Sequence, residues 1–285
     1  MNAPVLSRSD DVAAALRDPR LVPTAVHASA AAPLDKGVHA EFRARALGAL
    51  APAAIEPWEA SFRALADELA AGLPAGEPVD LIARYATPYS LGAAAVAAEV
   101  PADAVVRLAA IARPIFDSAC EPYERPLAEI AQRATVELAN VFHAAPPWTV
   151  QMFAALALSL PALLGNAWFA LAERHPDGAD MDKLLRTAGP AKVVFRRALE
   201  PLNIGDCNIA RDQIVILRLD GDSQLAFGLG THACVGAGLV RSAAGIATQT
   251  LLDRFAIGEE FTAVPAEHFA MRYLRSLVVR LSIKA

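Results

Sequence analysis

Phe227-Gly228-Leu229-Gly230-Thr231-His232-Ala233-Cys234-Val235-Gly236 reads as a loop built to present one cysteine sulfur to a metal. Gly228 and Gly230 lack a Cβ and take positive φ without strain, so the chain can fold back tightly and aim successive amide N–H groups at the sulfur. Gly236 lets the segment that follows approach a flat surface closely. From Val235 to about Phe255 apolar and small residues run on without proline, the pattern of a helix whose N-terminus sits beside Cys234. The partial positive charge of that helix end is expected to lower the thiol pKa and favour the thiolate.

A thiolate under a hydrophobic shell, its charge softened by amides, suits an axial ligand to haem iron. A glycine-rich turn around an inert cysteine is the plain alternative, and the joint specification of so many positions favours the ligand. Continued by Ala237-Gly238-Leu239-Val240-Arg241, the stretch resembles the haem-binding signature of the cytochrome P450 superfamily, Phe-Gly-x-Gly-x-His/Arg-x-Cys-x-Gly followed by x-x-Leu-Ala-Arg, with only Val240 departing. The resemblance implies heme b (iron-protoporphyrin IX) as cofactor. It also implies that Cys234 ligates the iron, that Phe227 and Gly228 protect the sulfur, that His232 hydrogen-bonds a haem propionate, and that Gly236 lies against the cofactor.

Other segments are similar to the family in the same order. Asp11-Val12-Ala13-Ala14-Ala15-Leu16-Arg17-Asp18-Pro19-Arg20 resembles an early helix ending in Asp-Pro-Arg. His39 and Arg43 resemble a propionate-binding His-x-x-x-Arg pair; i and i+4 share a helix face, so both side chains can meet one anion, although a solvated face fits the same spacing. Leu163-Leu164-Gly165-Asn166-Ala167, later reaching Arg174-His175-Pro176-Asp177, looks like the end of the long helix over the distal haem face. Pro190 through Arg196 resembles the segment carrying a third propionate arginine; Arg196 is the choice and Arg197 its competitor.

The departures concern catalysis. Oxygen-activating members carry Ala/Gly-Gly-x-Asp/Glu-Thr in the distal helix. Here Leu158 stands at the acid position, followed by Ser159 and Leu160. Ser159 is the one candidate catalytic hydroxyl, but alone it is a poor proton relay, and it is as well suited to bonding a carbonyl of its own helix. Pro161 removes an N–H and crowds the Ala157 carbonyl, so a kink is expected there. Lys183 occupies the glutamate place of the family's Glu-x-x-Arg, and Leu217-Arg218-Leu219-Asp220-Gly221-Asp222-Ser223-Gln224 leads almost directly into Phe227, leaving no room for a meander. Arg186 is then free to meet Asp182 at i, i+4.

The Asp-Pro-Arg helix begins close to Met1, so the strands that usually precede it are expected to be missing. The resulting sheet edge would be covered by a homodimer or a partner protein. At 285 residues, 55% apolar and 20% charged, the chain is expected to form a single domain over 1–285. A net charge of −5 gives no reason to expect nucleic acid. Cys120, Cys207 and Cys234 suggest neither a disulfide framework nor a zinc site, and Met1-Asn2-Ala3-Pro4-Val5-Leu6 lacks the pattern of a secretory signal, so a cytoplasmic enzyme is expected. Ala144 to Ala172 holds no charge, but prolines and polar residues interrupt it, so it reads as a buried core helix rather than a membrane span.

Helical spacing covers Ala53 to Ala71, Ala102 to Ile111 and Leu127 to Phe142. Prolines 74, 78, 88, 101, 114, 122 and 126 separate these helices or mark their first turns. Strand patterns are confined to Lys192 to Phe195 and Gln213 to Leu219. The expected architecture is therefore mainly α, a P450-like helical fold with a small, reduced β portion lacking the N-terminal sheet strands and the meander.

Three functions remain open. The first is a haem-thiolate oxidoreductase acting on a small organic substrate as a monooxygenase or peroxygenase, the former with a ferredoxin-type redox partner. The second is a haem-thiolate enzyme for a non-redox rearrangement or dehydration. The third is a non-catalytic haem-binding sensor or subunit. Phe116, Phe142, Trp148, Met152 and Phe153 are candidate pocket or core residues.

Overall fold

Alanine- and leucine-rich segments, several of them opened by proline, fold as helices in the computed structural model, which describes residues 3–24, 36–174 and 180–284. They are α1 (Ser9–Arg17), α2 (Lys36–Ala49), α3 (Pro52–Ala71), α4 (Thr87–Ala97), α5 (Ala102–Cys120), α6 (Arg125–Val141), α7 (Thr149–Ala154), α8 (Leu160–Arg174), α9 (Met181–Thr187) and α10 (Ala237–Arg254). Proline stands in the first turn of α3, α4 and α6, where its missing N–H costs nothing. Pro114 is a correction to the sequence reading: it lies inside α5, which runs on to Cys120 because Ala112, Phe116 and Cys120 continue its buried face. His175-Pro176-Asp177 lies outside the described residues.

The α7 and α8 helices are joined by a π-helical turn, Ala155–Ser159, in which the Leu160 N–H reaches the Ala155 carbonyl. The wide turn sits immediately before Pro161, where the helix departs from regular α geometry. Thr149–Glu173 is long and apolar enough to cross a membrane, with mean hydropathy 1.6. In this fold it is a core helix: Leu164, Ala167 and Trp168 are fully buried.

Trp168 stacks on Tyr85 with ring centroids 5.3 Å apart and donates from Nε1 to Thr248 Oγ1 at 3.2 Å. The Tyr85 hydroxyl donates to Ala247 O at 3.0 Å and the Tyr89 hydroxyl to Ala243 O at 2.7 Å. Burial pushes both phenols above the ordinary tyrosine range, so they act as permanent donors. Each bond contributes about 1 kcal/mol net. Together they fasten α10, the helix that follows Cys234, onto α4 and α8.

A four-stranded sheet runs β1 (Val5–Leu6), β7 (Ile214–Arg218), β4 (Val193–Ala198), β2 (Leu21–Pro23), with β1 parallel to β7 and the other pairs antiparallel. One two-residue strand, β1, does precede α1, a correction to the expected loss of the strands before that helix, while β2 follows it. The edge strands β1 and β2 are only two and three residues long, and β2 ends in Pro23, features that limit edge-to-edge pairing. A second sheet orders β3 (Pro78–Asp80), β9 (Arg272–Ile283) and β8 (Phe255–Glu267), and β5 (Leu202–Ile204) pairs with β6 (Cys207–Ile209). The long β8–β9 hairpin, absent from the sequence reading, bulges between Ile257 and Phe261. The helices with β8 and β9 share one apolar cluster, while the four-stranded sheet, α1, β5 and β6 share another.

Candidate functional site

The Cys234 loop is folded by its own backbone. The Cys234 N–H donates to Phe227 O at 2.7 Å, the Gly228 N–H to Leu225 O at 2.8 Å and the Ala233 N–H to Gly230 O at 3.1 Å. Gly228 and Gly230 have φ of +69° and +71°, the left-handed region that favours glycine. A Cβ on Gly230 would stand 2.8 Å from Leu16 O and 3.0 Å from Arg17 Cα, so the loop rests against the end of α1. The Asp-Pro-Arg helix thus forms part of the seat for the cysteine loop.

Cys234 keeps an accessible face, yet protein encloses the rest of it. Burial pushes its thiol up, outweighing the Gly236 amide hydrogen bond and the charges of Arg43 and Arg241, all of which favour the thiolate. The expectation that the helix end would lower the thiol pKa is corrected here, because desolvation of the thiolate exceeds the local positive potential. A metal cation at the sulfur reverses that balance.

Arg43 on α2 donates from Nη2 to Ala233 O at 2.5 Å, bringing its charge to the residue before the cysteine. His39 lies one turn earlier in α2, and its side chain is outside the described residues. His232 closes the short 3-10 turn Gly230–His232 and is half-buried. A Cβ added to Gly236 would meet no atom within 4 Å, so the chain just past the cysteine borders open space.

Strand alternation separates the two candidate arginines of β4. Arg197 pairs with Asp212 at 3.3 Å. Arg196 is only 6% exposed, donates from Nη1 to Phe195 O at 2.9 Å, and leaves its buried Nε with no partner among the described residues. Burial pulls its pKa down to about 10. A buried guanidinium with an idle donor fits an anionic group that the polypeptide does not supply. With Arg43 at the cysteine loop and the open space at Gly236, the residues present fit a flat, anionic cofactor ligated by sulfur.

Ser159 ends the π turn, half-buried and with no side-chain hydrogen bond among the described residues, and Leu158 precedes it. Asn166 donates from Nδ2 to Ala188 O and Arg272 O, both at 3.1 Å, tying α8 to the α9 end and the β8–β9 hairpin. Phe142, Trp148 and Met152 line a cavity of about 610 Å³ to which no residue of 227–236 contributes. Phe153 is fully buried, and Phe116 packs on Tyr273 instead.

Asp182 meets Arg186 at 2.7 Å, the i, i+4 pair expected from sequence. It also meets Arg241 at 3.4 Å, and the Arg241 guanidinium lies 5.4 Å from the Phe227 ring centroid. Sequence reasoning missed this contact, whose only signal was a basic residue one turn into α10. It also missed His268, which bonds Glu121 Oε1 at 2.7 Å and Tyr273 OH at 3.0 Å; Glu121 is too distant in sequence to reveal the pairing.

No protein-family model matches the chain. Over 178 residues it is 30% identical to cytochrome P450 144 of Mycobacterium tuberculosis, in strains CDC 1551 / Oshkosh and H37Rv alike, a match spanning 50% of this chain and 41% of those relatives. Its fold is similar to P450BioI, solved in complex with hexadec-9Z-enoic acid ligated acyl carrier protein, at TM-score 0.84 and 19% identity, covering 98% of this chain and 92% of that one. A mutant of P450 EryK in complex with erythromycin B aligns at TM-score 0.80 and 18% identity, covering 97% and 90%. CYP109E1 from Bacillus megaterium, in complex with testosterone, aligns at TM-score 0.80 and 18% identity, covering 97% and 91%. This chain thus has the fold of the cytochrome P450s and resembles them in sequence.

Proposed function

We propose that the chain is a haem-thiolate oxidoreductase in which Cys234 ligates the iron of heme b and a small organic substrate is oxidised. The observation that carries this reading is the folded Cys234 loop, with Cys234 exposed at the surface and Arg43 bonded to the residue before it. When bound, haem supplies the redox and oxygen chemistry of a thiolate-ligated iron. Gly236 N–H and the charges of Arg43 and Arg241 stabilise the thiolate and temper its electron donation. Phe227 shields the sulfur from water. Arg196, with His39, Arg43 and His232, neutralises the propionates.

On the distal side Leu158 and Leu160 exclude water but carry no proton, and the Ser159 hydroxyl stays protonated at neutral pH. A dioxygen route with a ferredoxin-type electron donor needs proton delivery that these residues supply poorly. Peroxide arrives already reduced and bearing protons, so it is the oxidant that suits this helix. The test supplies haem-loaded protein with a panel of small apolar substrates, using either peroxide or an NADH–ferredoxin system. Faster oxidation with peroxide is the expected result. Conversion without oxidant or reductant would replace this reading with a non-redox isomerase or dehydratase, and haem binding without turnover would leave a sensor or subunit.

A further inference from the structure

The charged triad of the P450 pattern is broken in this chain by Lys183, whose backbone N–H donates at 3.2 Å to Oδ1 of Asp180, the N-cap of α9. The adjacent Asp182 does something else. It accepts from Arg186 Nε at 2.7 Å and faces Arg241 Nη1 at 3.4 Å, and these hydrogen bonds, the Arg186 one foremost, hold its carboxyl below the usual carboxylate range. Arg241 uses its remaining surfaces on the cysteine loop. Its Nε donates to Ala237 O at 3.2 Å, three residues past Cys234, and its guanidinium lies 5.4 Å from the Phe227 ring centroid. The Phe227 carbonyl in turn accepts the Cys234 N–H at 2.7 Å.

We propose that Arg241 is a positioning residue for the Cys234 loop, anchored by Asp182 so that its planar guanidinium clamps Phe227 and the start of α10. The chemistry requires arginine. A planar guanidinium can donate to a carboxylate and a carbonyl from separate N–H groups while presenting its face to a ring, whereas lysine offers a point charge. Arg43 lies on Ala233, the residue before the cysteine, so two guanidinium groups flank the sulfur. Asp182 and Arg241 are 55% and 37% exposed, so the clamp is of moderate strength and sensitive to salt.

This inference rests on the haem-thiolate reading, and the test separates the two. Haem-loaded wild type, Arg241→Gln, Arg241→Lys and Asp182→Asn are compared for haem transfer to apomyoglobin and for midpoint potential. Arg241→Gln is expected to release haem at least threefold faster. Losing a cation near the thiolate also disfavours reduction by roughly threefold, ~28 mV to the negative at ~59 mV per tenfold. Arg241→Lys restores the potential but not haem retention. Asp182→Asn speeds release while moving the potential the opposite way, since an anion is removed; a general loss of packing would not split the readouts in this manner. Wild-type release and potential in all three variants, with thiolate ligation intact, overturns the clamp and leaves the haem reading standing. Absence of a thiolate spectrum in wild type overturns both.

Discussion

The Cys234 loop and the α7–α8 helix carry sequence information of opposite kinds. In the loop two glycines are demanded by geometry, Gly228 and Gly230 by positive φ and Gly230 again by its approach to α1, and Arg43 of α2 bonds the Ala233 carbonyl. In the helix, the places where the P450 pattern asks for an acid and an alcohol hold Leu158, Ser159 and Leu160. What is built with care there is packing, around Trp168, Tyr85 and Thr248. The difference teaches that the fold has kept both elements, the loop with backbone geometry that suits the proposed ligation and the helix with a packed core in place of the acid and alcohol.

That contrast breaks most readily at Trp168. Trp168→Ala removes a fully buried indole and its bond to Thr248, and is expected to cost about 3–5 kcal/mol of stability in urea denaturation. The haem absorption bands of the folded fraction should not move. A band shift as large as one caused by a loop substitution would make the helix part of the site.

Arg196 gives a smaller effect with two signs. Replacing a buried, incompletely bonded guanidinium by an apolar side chain, as in Arg196→Met, is expected to stabilise the haem-free protein by about 1–3 kcal/mol and to speed haem loss. Because the folded-state pKa is depressed to about 10, the unfolded chain holds that proton more tightly. The penalty is therefore full below about pH 10 and eases as the pH rises further. Denaturation of both proteins from pH 7 to 10.5 should show a constant advantage for Arg196→Met up to about pH 9 and a shrinking one above. An advantage that grows at high pH would contradict the assignment.

Ser159→Ala marks the small end. Peroxide-driven turnover is expected to stay within about twofold of wild type, since a lone hydroxyl contributes little to proton transfer. A loss beyond tenfold would restore a catalytic role to this helix.

The loop and the principal helices were legible because their signals are local. Glycine at required φ, proline at first turns and 3.6-residue spacing all lie within one stretch of chain. The β8–β9 hairpin was missed: Leu277, Val279 and Leu281 alternate in β9, but the bulge over residues 258–260, with its two glutamates, breaks the period in β8. The strands β1 and β2 are too short to carry a pattern and exist through their pairing with β7 and β4. The choice between Arg196 and Arg197 needed the structure, because alternation shows that they differ in face but not which face is buried. The Arg241 clamp and the Glu121–His268–Tyr273 cluster are tertiary contacts between distant segments, invisible to any local rule.

The absorption spectrum of the haem-loaded protein, reduced and exposed to carbon monoxide, beside Cys234→Ala, tests the central claim most directly. A strongly red-shifted Soret band in wild type that is lost in the variant is the predicted result. The same spectrum and the same haem occupancy in both proteins would contradict ligation by Cys234.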